Sequence, residues 1–274
     1  MAQPPLACSV RGCALPLLRR DRTFVCVAGH SYDVARSGYL NLLQPQDRKS
    51  TKAGDTRAAI EARASLLAAG VGRTLIDAVA NRAAFLDLPE APVVADLGCG
   101  SGDALAAVTG RAGLGVGIDL SVAAIERAAR HFPDRTWVVA NADRRVPLLD
   151  RSIDLVMSLH ARRNPVETAR VLAPTGVLLV AIPASDDLIE LREVVQGQRV
   201  ERDRSDLVVT EHHALFELVD RSVVREARDF DRDALLKLLR GTYRGVRHGV
   251  TERVASLTRM TVTLASEILA FRLR

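Results

Sequence analysis

The stretch "ADLGCGSGD" (Ala95–Asp103) decides how this chain is read. Gly98, Gly100 and Gly102 alternate with Cys99 and Ser101 behind an acidic residue, Asp96. The run "VVADLG" (93–98) is short, apolar and ends in glycine, as a buried parallel strand does. "GDALAAVTGR" (102–111) reads as a helix. Glycines at a strand-to-helix turn let the backbone bend sharply and let a ligand approach it closely. The spacing is G-x-G-x-G, not the G-x-G-x-x-G that cradles a dinucleotide pyrophosphate.

Working outward, strands are expected at 113–119, 135–141, 152–160 and 175–183. Helices are expected at 121–132, with Ser121 as N-cap, near 164–172 and at 187–199. Two more helices, 56–70 and 72–85, precede the first strand. The tail reads as a strand at 216–226, a helix at 231–240 and a strand within 258–273, a closing antiparallel hairpin. Alternation at this period predicts an α/β fold with a Rossmann-like, doubly wound, mostly parallel sheet. Ligands of such sheets bind outside the carboxyl ends of the strands. Asp119, ending the second strand, suits ribose hydroxyls there, and Asp143, after the third, suits an adenine amino group.

This pattern resembles class I S-adenosylmethionine-dependent methyltransferases over about residues 91–274. The resemblance implies that Asp96, Gly98, Gly100, Ser101 and Gly102 form the cofactor loop and that Asp119 holds the ribose. Cys99 inside the loop reads as a small packing residue.

The chain's other three cysteines crowd its start, in "CSVRGCALPLLRRDRTFVCVAGH" (8–30). Four residues separate Cys8 from Cys13, three separate Cys26 from His30, and the stretch between the pairs can fold as a hairpin. Thiolates and imidazole at such spacings suit tetrahedral Zn²⁺, and four protein ligands make the site structural. The expected parts are a zinc-binding module over 1–37, a basic loop and helical connector over 38–90, and the methyltransferase domain over 91–274.

The chain has 274 residues and is 48% hydrophobic, enough for a sizeable core. Only 4% is aromatic, so base-stacking platforms should be few. Net charge is +5, a balance that favours polyanion partners. No apolar segment approaches a membrane span and no secretory signal is visible, so a cytoplasmic protein with reduced thiols is expected.

The zinc set, the basic loop and the methyltransferase pattern together resemble the 23S rRNA guanine-N1 methyltransferase family, which includes macrolide-resistance members. Tyr32, Asp33, Ala35, Gly38, Tyr39 and 41–43 carry the likeness after the zinc set, Gly54, Asp55, Ala62 and Arg63 carry it at the next helix, and "LHARRNP" (159–165) aligns with the loop after the fourth strand. The chain departs from the family at its C-x₄-C pair, at Gly70-Val71-Gly72, at Ala161-Arg162 and in "RGTYRGVRHGV" (240–250). A family histidine near the cofactor appears here as Asp187. The resemblance implies 23S ribosomal RNA as partner, a zinc module that helps bind it, and a homodimer that no residue pattern here displays. Arg11, Arg19, Arg20 and Arg22, with Arg48, Lys49 and Lys52 in the next loop, are the expected phosphate contacts.

The implied reaction is attack by guanine N1 on the sulfonium methyl group. N1 must shed a proton, and His160, Asp143 and Asp187 are the candidate acceptors, with a structural role as the alternative for His160. The rival readings are a small-molecule methyltransferase and a non-catalytic RNA-binding factor on the same scaffold.

Overall fold

Val93–Leu97 (β5) is buried along nearly its whole length, which only a strand flanked on both sides and covered on both faces allows. The computed structural model describes residues 3–44, 54–110, 113–199, 201, 203–242 and 248–274. In it β5 pairs in parallel with Leu114–Asp119 (β6) and Ile153–Leu159 (β8). Thr136–Val139 (β7) extends the sheet beyond β6, and Leu172–Pro183 (β9) extends it beyond β8, both in parallel register. Arg259–Leu273 (β11) then runs antiparallel to β9, and Phe216–Asp231 (β10) antiparallel to β11. A two-residue strand, Leu40–Asn41 (β4), adds in parallel at the opposite edge, against β7. The expected Rossmann-like sheet is present, parallel in its body and closed by an antiparallel hairpin.

Most of the helices lie where the sequence places them. Arg57–Ala68 (α1) starts at Thr56, whose side chain accepts from the Ala59 amide at 3.2 Å. Arg73–Ala84 (α2), Asp103–Thr109 (α3), Val122–His131 (α4) and Pro165–Val171 (α5) follow. Ser121 caps α4 as expected, accepting from Ala124. Ile189–Gln196 (α6) and Arg232–Thr242 (α8) were also foreseen. Ser205–His212 (α7) and His248–Ala255 (α9) were not. Leu66, Leu188, Leu191, Leu235, Leu239 and Val254 form an apolar cluster that packs α1, α6, α8 and α9 over the far half of the β10–β11 hairpin.

The N-terminal stretch folds as three short antiparallel strands, Leu18–Arg20 (β1), Thr23–Val25 (β2) and Ser31–Asp33 (β3). β1 and β2 are the hairpin expected between the cysteine pairs. Leu6, Leu17 and Phe24 share one buried cluster with Leu40, Val138, Val146 and Leu148, so the module's core is continuous with the sheet edge. Backbone bonds from Ala7 to Pro147 O (3.0 Å) and from Leu149 to Pro5 O (2.9 Å) fasten the seam. Among the described residues no helix is long and apolar enough to cross a membrane.

Candidate active site and metal centre

The glycine turn is locked before any ligand arrives. The Gly98 and Cys99 amides both donate to Ile118 O, at 2.8 and 3.1 Å, and Gly102 N donates to Cys99 O at 2.9 Å. Asp119 at the end of β6 accepts from Gly100 N (3.0 Å) and Ser121 N (2.7 Å). The three glycines serve different neighbours. A Cβ on Gly98 would stand 2.4 Å from the Ala161 methyl, and one on Gly102 would stand 2.2 Å from the Trp137 ring. A Cβ on Gly100 would meet nothing within 4 Å. Gly98 and Gly102 are therefore glycines for packing, and Gly100 alone keeps space open on the ligand side.

That space is a cavity of about 550 Å³. Its lining includes the turn, with Asp96, Gly98, Gly100, Ser101 and Asp119, then His160 and Asp187, and α1, α2, α8 and the β10–β11 hairpin complete it. Of the expected site residues it unites all of these. It does not include Gly102, which is turned to Trp137, or Asp143. Asp143 is instead ion-paired with Arg162 at 2.6 Å, joining the loops after β7 and β8.

The electrostatics of the cavity follow from burial. Asp96 is 2% exposed; desolvation, reinforced by the charge of Asp119, raises its pKa to about 7. Its Oδ1 is buried without a hydrogen-bond partner. Desolvation raises Asp187 to about 6, although its Oδ1 accepts from Ala265 N at 2.9 Å. Asp119 is also raised, by burial first, against the two amides that favour its charge. His160 opens onto the cavity but has protein on nearly every other side, and desolvation lowers it to about 4. It is a neutral imidazole whose Nε2 lies 2.9 Å from Ser266 Oγ. Cys99 is raised far above its ordinary range by burial, so it stays a thiol and packs, as expected.

These residues fit S-adenosylmethionine. An orphaned buried carboxylate oxygen on Asp96 calls for a cationic donor, and the cofactor's ammonium is one. Asp119, with lone pairs left beyond its two amides, suits ribose hydroxyls. The single open glycine leaves room beside them.

Two residues of the cavity wall, Asp55 and Arg63, had no assigned role in the sequence. Gly54 lies so close to the β6–α4 junction that a Cβ would come 2.5 Å from Ser121 N. Ser121 Oγ donates to Asp55 O at 2.7 Å, and Arg63 ion-pairs with the Asp55 carboxylate. Arg63 also donates to Gly241 O at 2.8 Å. The Gly-Asp ahead of an N-capped helix was the available signal.

At the other end, Cys8, Cys13, Cys26 and His30 converge, their ligand atoms all within 4.8 Å of one another. His30 Nδ1 lies 3.4 Å from the sulfurs of both Cys8 and Cys26, and Cys13 Sγ lies 3.8 Å from Cys26 Sγ. Thiolates held tetrahedrally at about 2.3 Å from Zn²⁺ stand about 3.8 Å apart, so the cage has the right size. Tyr32 OH, 3.2 Å from Cys8 Sγ, is placed to orient that ligand. Arg11, Arg19, Arg20 and Arg22 are exposed around the module. Arg48, Lys49 and Lys52 lie outside the described residues.

Residues 7–52 match the zinc-ribbon family described as "RlmA, N-terminal", and 94–176 match a methyltransferase domain family. A 23S rRNA (guanine(748)-N(1))-methyltransferase of Streptomyces fradiae is 38% identical over 229 residues, 81% of this chain and 80% of that protein. A putative 23S rRNA (guanine-N(1)-)-methyltransferase of Micromonospora griseorubida is 34% identical over 98% of this chain and 97% of its own. A putative methyltransferase from Bacillus halodurans shares the fold, with a TM-score of 0.52 at 15% identity over 72% of this chain and 97% of that one.

Proposed function

Because the chain belongs to the 23S rRNA guanine-N1 methyltransferase family, we propose that it methylates N1 of a guanine in a 23S rRNA hairpin loop. One observation carries this reading: a carboxylate-lined cavity at the glycine turn and a Cys₃His knuckle stand on one continuous core. Bound S-adenosylmethionine supplies an electrophilic methyl group on a sulfonium. The chain's own residues do the rest. Asp96 and Asp119 hold and orient the cofactor, Gly98, Gly100 and Ser101 line its seat, and Gly102 supports the turn from behind against Trp137.

Guanine N1 lies on the Watson–Crick edge and must be unpaired to enter the cavity, which a hairpin loop allows. It must also lose a proton. Asp187 takes it: a carboxylate with a pKa of about 6 is ionised at neutral pH yet basic enough to accept. His160, lowered to about 4, is the weaker base and orients through Ser266. Asp143, paired with Arg162 away from the cavity, ties the two loops together.

We take 1–37 as the RNA-positioning metal module, 38–90 as the connector whose α1 and α2 wall the cavity, and 91–274 as the catalytic domain. Exposed arginines of the module neutralise RNA phosphates. The reading places the protein in the cytoplasm, where ribosomal RNA and reduced thiols coexist. The test is nucleoside analysis of a 23S rRNA transcript incubated with the protein and S-adenosylmethionine. 1-Methylguanosine should form, and Asp187→Asn should slow it by about 10²-fold or more while cofactor affinity changes only a few-fold. Methyl transfer to metabolites but not to RNA would overturn the assignment.

A further inference from the structure

The cavity holds an imbalance of charge. Among the described residues, six carboxylates line it, from Asp55, Asp96, Asp103, Asp119, Asp187 and Glu226, against one guanidinium, that of Arg63. We propose that Arg63 is the cofactor-binding residue that holds the carboxylate of S-adenosylmethionine's aminoacyl arm. The proposal rests on the methyltransferase reading and adds the residue that accommodates the one anionic group of an otherwise cationic ligand.

The cofactor carries a sulfonium, an ammonium and a carboxylate. The acids of the cavity suit the first two. A carboxylate entering among six acids is repelled and loses its water, so it needs a cation or several amide donors. The glycine turn offers no cation, and most of its amides are spent. Those of Gly98, Cys99, Gly100 and Gly102 are already bonded to Ile118 O, Asp119 and Cys99 O. His160 is neutral. That leaves Arg63.

Arg63 is also built as part of a wall. Asp55 holds one arm of the guanidinium and Gly241 O holds the other at 2.8 Å. Those two bonds leave Nε–H and other N–H donors of the fork for an anion. Asp55 is itself fastened by Ser121 to the junction that carries Asp119, and the tight approach of Gly54 fixes that contact. Arg63 and the ribose-binding acid are therefore held by the same piece of structure, and the span between the two cofactor subsites is set in advance. Such preorganisation gives affinity by sparing the ordering of a long side chain on binding.

The experiment compares equilibrium binding of S-adenosylmethionine and its decarboxylated analogue, by calorimetry, without RNA. Wild-type protein should prefer the carboxylate-bearing ligand by about 10- to 100-fold. Arg63→Met should bind the analogue about as well as wild type does and should lose that preference to within about twofold. Arg63→Lys, which keeps the charge without the fork, should retain part of it. Equal binding of the two ligands by wild type would overturn the proposal, as would a full preference surviving in Arg63→Met. Loss of RNA affinity in that variant with the preference intact would assign Arg63 to a phosphate and overturn it too. If wild type bound neither ligand, the cofactor reading itself would fail. Should Arg63→Met not fold, the wild-type comparison and Arg63→Lys still decide the matter.

Discussion

Alanine at Gly102 and alanine at Gly100 should injure the protein in different ways. At Gly102 the backbone has φ +83°, and the new Cβ would lie 2.2 Å from Cη2 and 2.7 Å from Cζ3 of Trp137. That ring cannot step aside, because it is 1% exposed and its Nε1 donates to Phe132 O at 2.8 Å. Left-handed backbone costs a non-glycine residue about 1–2 kcal/mol. Overpacking a filled core adds about 1–3 kcal/mol. Gly102→Ala should thus lose roughly 2–5 kcal/mol, a fall in Tm of about 5–15 °C for a chain of this size. At Gly100 the φ is +54° and the Cβ meets nothing within 4 Å. Only the backbone term remains, so Gly100→Ala should lose about 1 kcal/mol. Its Cβ projects into the cavity, where it should weaken cofactor binding at least tenfold, and Gly100→Val should abolish it. Thermal denaturation without ligand, then calorimetry with S-adenosylhomocysteine, reads both quantities. Equal stability losses, or a Gly100→Val protein with undiminished affinity, would refute the division of labour in the turn.

Further outcomes follow from the same geometry. Asp96, raised to about 7 in the fold against 3.8 when unfolded, favours folding in its protonated form. Its contribution is fully present below about pH 4 and is lost as pH rises through 7, so Asp96→Asn should stabilise the ligand-free protein by a few kcal/mol at pH 8 and by little at pH 4. Because the cofactor's ammonium favours ionised Asp96, affinity should climb with pH between about 5 and 7 and protons should be released on binding; calorimetry in buffers of different ionisation heat would detect the reverse. Asp119→Ala should weaken cofactor binding by about 1–3 kcal/mol, seen as a shifted Kd, and more if Gly100 N is freed as well. The protein should bind about one Zn²⁺ per chain. Cys26→Ser should release it and weaken RNA binding, and it should lower Tm, since Leu17 and Phe24 pack with Val138 and Leu148; an unchanged Tm would mean that the seam carries no load.

The body of the fold was legible because each βα unit states itself locally. The doubly buried run at β5, the glycine turn and the Ser121 cap all lie within a few residues of what they specify. β10 runs on past its expected end at 226 to Asp231, whereas β11 fills the expected 258–273 almost entirely. β10 is an edge strand whose alternating exposure fades into charged residues, and its length is set by β11 and by the helices packed above it. β4 has two residues and exists because Leu40 and Leu42 find the β7 edge. The metal set was legible from spacing, whereas the module's shared core with the sheet was not, because Leu6 and Leu148 lie far apart in sequence. Asp143 stands after β7, as the strand-end rule has it, but its partner Arg162 arrives from the next crossover and no local pattern shows the pair. Arg63 was picked out only by the family likeness, because its place in the wall depends on Gly241, far along the chain. Charge and helical position alone do not separate it from Arg57 on the same helix, which pairs with Glu126 instead.

Primer extension on 23S ribosomal RNA tests the central claim most directly. A methyl group on guanine N1 blocks Watson–Crick pairing and halts the polymerase. RNA treated with the protein and S-adenosylmethionine should show one new, strong stop beside a guanine in a hairpin loop, absent when Asp187→Asn replaces the wild type. A full-length product from treated RNA, with protein that binds the cofactor normally, would contradict guanine N1 as the target.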